Sequence, residues 1–280
     1  MIHPDVEAAL RASDRLPHVF DSAKSRLGKE PLLRWDEYPD VTLHKLEVLA
    51  RSAYMAGVYL VQDPNVAYRA EDMVRSVLEC LAHTTYIAGL PPLQYKRQPV
   101  DRALCVELGM IKSLHGLLKK LPDDALMQDA SVRQVVAKDE NEIRRLHMGT
   151  GCQCAGRSEG NVAPTLNGAA RAIGAPWTTL VGVYNSSSTF MHQGLLNRIV
   201  REIQPGLTDW VQADDEHRIR LLTWLVTAYE LTGSQHLYLY DPTVANEFHL
   251  YAVGILRDFG SVRRNPGSAV TDRSSGMSNS

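Results

Sequence analysis

The stretch from Ala70 to Gly89, AEDMVRSVLECLAHTTYIAG, constrains this chain more than any other. At about 100° per residue, Val74, Val77, Leu78, Leu81, Thr85 and Ala88 fall on one face, the spacing of a helix that buries one side in a core. The rest of the chain is expected to pack around it. A second stripe carries Asp72, Arg75, Glu79, His83 and Tyr86. As a solvated face it offers one Arg75 to Glu79 pair at i, i+4, worth a few tenths of a kcal/mol. The absence of lysine sets a different reading beside that one. A guanidinium, a carboxylate, an imidazole and a phenol are groups that work in a half-buried polar site.

The 280 residues suffice for a sizeable core in one large domain or two small ones, and 44% hydrophobic with 22% charged residues is ordinary for a globular chain. A formal net charge of −2 provides no global basic field for nucleic acid or an anionic membrane. The first 20 residues lack the basic and apolar blocks of a secretory signal, and no apolar run approaches the ~20 residues of a membrane helix. The expectation is a cytoplasmic protein. Its four cysteines, Cys80, Cys105, Cys152 and Cys154, are expected to be reduced.

In chain order, a short helix is expected over Pro4 to Arg15, followed by a segment broken by Pro17, Gly28, Pro31 and Pro39. This reads as an N-terminal arm over residues 1–40, anchored by Trp35 and Tyr38. Thr42 to Val61 reads as a helix with Leu43, Leu46, Leu49, Ala53 and Val58 inward, and Asp63-Pro64-Asn65 turns the chain into the central helix. Further helices are expected over 99–120, 123–147, 165–173, 176–203, 207–231 and 242–259, with His236 to Tyr240 as a buried turn or short helical link. A glycine-rich loop fills 149–160, and residues 260–280 have the composition of a disordered tail. The reading is an all-α, single multi-helix bundle domain over 41–259.

A second polar stretch is YNSSSTFMHQGLLNRI, from Tyr184 to Ile199. On a helix, Tyr184, Ser188 and His192 share a face at i, i+4, i+8. Three serines in a helix interior are poor for propensity, so close helix approach or a polar site must reward them. His192 is thus a structural histidine in a hydrogen-bond network or a catalytic or ligand-binding one. Two metal readings arise as well. His147, Cys152 and Cys154, with Cys80 and His83 as a complement, contain zinc-type donors, but C-x-C is not the usual knuckle, so ordinary thiols are the expectation. Asp214-Asp215-Glu216 with Asn246-Glu247 resembles magnesium-diphosphate clusters, yet lacks a complete second motif and reads better as a helix start. No Walker loop and no G-x-S-x-G elbow occurs, and no metal or cofactor is assigned.

Arg75-x-x-x-Glu79 followed by Tyr184-x-x-x-Ser188-x-x-x-His192 resembles an uncharacterised family of bacterial all-helical proteins with RxxxE and YxxxSxxxH helices, distantly similar to HEPN domains. The resemblance covers residues 42–203. It implies a bundle in which Arg75, Glu79, Ser188 and His192 converge, with a link to RNA or to defence. His192, Arg75 and Glu79 would be catalytic, and Ser188, Tyr184 and Asn185 would bind ligand. HEPN nucleases carry an Arg shortly before their His, whereas this chain has Asn185 upstream of His192 and no Arg there. Arg75 would have to supply that cation from another helix. The expected partner is RNA or a small anionic ligand, with no membrane and a homo-oligomer allowed. Otherwise the same residues form a structural network in a non-catalytic interaction module.

Overall fold

The computed structural model describes residues 4–27, 39–89, 93, 95, 98–118, 130–149, 161–185 and 213–262. Trp35, Tyr38, the glycine-rich loop and the tail beyond residue 262 lie outside them. Among the described residues the chain is all-α, with nine helices and no strand. They are α1 (Pro4–Arg26), α2 (Asp40–Val61), α3 (Ala70–Ala88), α4 (Pro99–Leu118), α5 (Ala130–Gly149), α6 (Val162–Ile173), α7 (described over 177–185), α8 (Asp215–Tyr238) and α9 (Pro242–Val262). No described helix is long and apolar enough to cross a membrane.

The expected face of α3 is buried throughout: Val74, Val77, Leu78, Leu81, Thr85 and Ala88 all lie in the interior. Tyr86 departs from its expected polar stripe. It is 1% exposed and meets Tyr95 edge-on at 5.1 Å, because a phenol contributes far more through its ring than it loses through its hydroxyl. The centre is shared, since α3 packs against α2, α4, α6 and α8, while α8 packs against α1, α2, α3 and α9. Gly57 permits the close approach of α2 to α8. A Cβ there would stand 2.8 Å from Leu225 Cδ1.

The helix over α1 does not end at Arg15. It runs through Pro17 to Arg26, and Leu16, Pro17 and Phe20 are buried. Proline removes the N–H that would bond the carbonyl four residues back, here that of Ser13. Tyr54 Oη of α2 donates to that same Ser13 carbonyl at 2.8 Å. The missing partner is thereby supplied from a neighbouring helix. On α2, Leu43, Leu46 and Val58 are inward as expected, but Leu49 is 52% exposed. Ala50 and Tyr54 take the inward positions instead. His236 to Tyr240 is the C-terminal turn of α8 and its exit rather than a separate link.

Two helix ends are closed by arginines from elsewhere. The last carbonyls of a helix have no partner within it. Arg218 of α8 donates to Val61 O and Gln62 O at 2.8 Å each, closing α2, and its Nη1 meets Asp215 at 3.0 Å. Arg102 of α4 donates to Ile87 O at 2.7 and 3.1 Å, closing α3 just before Gly89, which adopts φ 57°. Asp214 begins α8 by accepting from the His217 backbone N–H at 2.7 Å, the helix-start role expected of that acidic run.

Candidate functional site

Glu71, Arg75 and Glu79 repeat at i, i+4, i+8 and so share one face of α3. Arg75 Nε donates to Glu79 Oε1 at 3.1 Å. Its guanidinium carbon lies 5.5 Å from the centre of the Tyr184 ring on α7. The first residues of the two sequence motifs, 109 positions apart, therefore meet across a helix pair. Arg75 is about a quarter exposed, at 24%, and its two terminal nitrogens have no hydrogen-bond partner among the described residues. A guanidinium anchored at Nε and open at its Nη pair is arranged to clamp an oxyanion with two parallel bonds.

Asn185 is exposed on α7 beside Tyr184. Ser188 and His192 lie outside the described residues, as do Cys152, Cys154 and the side chain of His147. Among the described residues no group of three or more His, Cys, Asp or Glu side chains could hold a metal ion. Cys80 is free and buried, and burial followed by the charge of Glu79 pushes its thiol up to about 12. Such a thiol stays protonated and makes a poor zinc ligand. Cys105 departs from the expectation of reduced thiols, because it is disulfide-bonded. With four cysteines in the chain, denatured protein without reductant should show two thiols to a thiol reagent and four after reduction. Four without reductant would restore the reduced reading.

The structure adds residues that spacing did not single out. Glu71, one turn before Arg75, faces His217 of α8, with Oε1 and Nε2 3.6 Å apart. Arg220 Nη2 lies 3.1 Å from His217 Nδ1, and a guanidinium can only donate. The ring proton of neutral His217 therefore sits on Nε2, toward Glu71. Burial, then Asp72, pushes the Glu71 carboxyl above its usual range, while Arg220 opposes. Burial, then Arg220, holds His217 below its usual value, while Asp214 opposes. Burial thus disfavours the charged form of both groups, and the Nε2 proton of His217 is directed at a Glu71 oxygen. Arg220 also lies 5.9 Å from the Trp224 ring centre.

The signal for this second layer was present in the repeat of Glu71, Arg75 and Glu79, but His217 stood hidden beside acids that read as a helix start. Compared with protein-family models, curated proteins and solved structures, the chain matches none.

Proposed function

We propose that this is a cytoplasmic, HEPN-like helical protein that binds an anionic ligand, an RNA phosphate, at Arg75. One observation carries the reading: Arg75 is fixed at Nε by Glu79 and backed by the Tyr184 ring, while its terminal nitrogens have no partner among the described residues. Charge-assisted pairs of this kind are among the stronger polar contacts. Catalysis, in this reading, falls to His192 as general acid or base with Arg75 stabilising charge on phosphorus, and Ser188, Tyr184 and Asn185 contact the same ligand.

Binding of a fluorescent single-stranded RNA by wild type and Arg75→Ala tests the proposal. Arg75→Ala should weaken binding at least tenfold, about 1.4 kcal/mol, while the melting temperature moves by only a few degrees. A second reading has an observation of its own, since Glu79 and Tyr184 already engage Arg75 from two helices. Under that reading the residues form a structural network in an interaction module, and Arg75→Ala should melt the protein early and leave RNA binding unaltered. RNA incubated with the pure protein and no added metal, beside His192→Ala, checks the nuclease form.

A further inference from the structure

We propose that the outward face of α2 is a contact between two copies of this chain, paired antiparallel across a two-fold axis. Val48, Leu49, Met55 and Tyr59 stand on that face and are 45%, 52%, 40% and 72% exposed. Four large apolar side chains on one stretch of helix leave on the order of 400 Å² open, the extent at which an apolar patch marks an interaction site. Ser52 and Ala56 are the exposed positions between them, and Gln62 is the next one outward. From Val48 to Gln62 every exposed residue is uncharged. The neighbouring α1 shows the ordinary alternative, with Glu7, Arg11, Asp14 and Arg15 exposed. Charges stand only at the margins of the α2 face. Lys45 and Arg51 are held by Glu107 and Asp21, at 3.0 and 2.6 Å, and Asp63 belongs to the turn that follows the helix.

The spacing identifies the occupant. Val48, Ser52, Met55 and Tyr59 are separated by 4, 3 and 4 residues, the repeat that keeps one seam of a helix against a second helix. An antiparallel second helix sets Val48 against the partner's Tyr59 and Ser52 against the partner's Met55, so a smaller side chain faces a larger one at each level. Leu49 and Ala56 flank the seam and meet in the same way. A parallel pair would set each residue against itself and align the helix dipoles, which antiparallel helices oppose. Ser52 can be covered without loss, because its hydroxyl already donates to Val48 O at 2.8 Å and burial strands no donor.

Charge matching points the same way. A face without charge offers nothing to a nucleic-acid backbone or a charged peptide, whereas its own copy brings no charge that burial would leave unpaired. The area sets the strength. About 400 Å² from each copy is half of the ~800 Å² per partner of a standard interface, so the dimer is weak and reversible, with Kd in the micromolar range.

Sedimentation velocity of the full chain between about 1 and 300 μM tests the pairing. Wild type should pass from monomer to dimer across this range, with little dependence on salt because no charged pair carries the contact. Tyr59→Glu and Val48→Lys lie at exposed positions and should leave the melting temperature nearly unchanged, yet each should weaken dimerisation at least tenfold. The double variant should recover it, since the antiparallel arrangement sets a new lysine against a new glutamate twice over. Leu250→Glu, on the exposed side of α9, and Arg75→Ala should dimerise like wild type. A monomer at every concentration, association that continues beyond the dimer, or a dimer that Tyr59→Glu leaves intact would overturn the proposal. So would a double variant no better than either single one. Binding of a monomer to neutral phosphatidylcholine vesicles, lost in Tyr59→Glu, would assign the face to a lipid surface instead.

Discussion

Replacing Arg218 by leucine should lower the unfolding free energy by about 3–5 kcal/mol, as a cooperative loss in urea denaturation. The side chain is 3% exposed and its guanidinium is the partner of two adjacent carbonyls, Val61 O and Gln62 O. Removing it leaves the end of α2 buried with acceptors that water reaches poorly, at roughly 1–3 kcal/mol for each. Leucine fills part of the volume but restores no donor. The Asp215 arm of the same guanidinium contributes little, since Asp215 is 46% exposed, and Asp215→Ala should cost less than about 1 kcal/mol. The contrast between the two variants separates the capping role from the ion pair. A loss below about 1 kcal/mol in Arg218→Leu would show that the carbonyls find water and that the cap is dispensable.

That cap also shows where reading the sequence stops. Arg218 and Val61 are 157 positions apart, and nothing local in either marks the contact. The face of α3 was legible because burial on one side of a helix imposes a period that survives in any sequence. Pro17 was misjudged for the complementary reason. The lost backbone bond is a local fact, whereas the Tyr54 hydroxyl that satisfies Ser13 is a tertiary one. Leu49 failed because Val48 and Leu49 are both apolar and both about half exposed, so the period of α2 admits two faces and only packing selects Ala50 and Tyr54. At the candidate site, Arg75 and Glu79 were visible as an i, i+4 pair, and Tyr184 as a member of a distant face. The relation of Glu71 to His217 and Arg220 was not, because it lies across the α3 and α8 contact.

His236 should make the protein sensitive to acid, and His236→Leu should remove that part of the sensitivity. Burial, reinforced by Lys24 and His44, lowers its pKa from 6.5 to about 3. The unfolded chain therefore binds the proton more readily than the folded one, so stability rises with pH across this interval. The contribution is fully present above pH 6.5 and is lost as pH falls toward 3, at about 1.4 kcal/mol per unit. Between pH 7.5 and 4.5 the wild type should lose about 2–3 kcal/mol more than His236→Leu. His44 acts in the same direction, lowered by burial and then by Lys24, so some acid sensitivity should persist in the variant and fall further in His44→Asn. His249 has the opposite sign. Its hydrogen bond from Nδ1 to the buried Glu230, at 2.9 Å, raises its pKa, so its contribution is present below 6.5 and lost as pH rises through the folded value. Urea denaturation of wild type and the two variants at several pH values, in buffers free of phosphate and carboxylates, distinguishes these terms. Equal pH dependence in wild type and His236→Leu would mean that folding leaves the His236 pKa at its unfolded value.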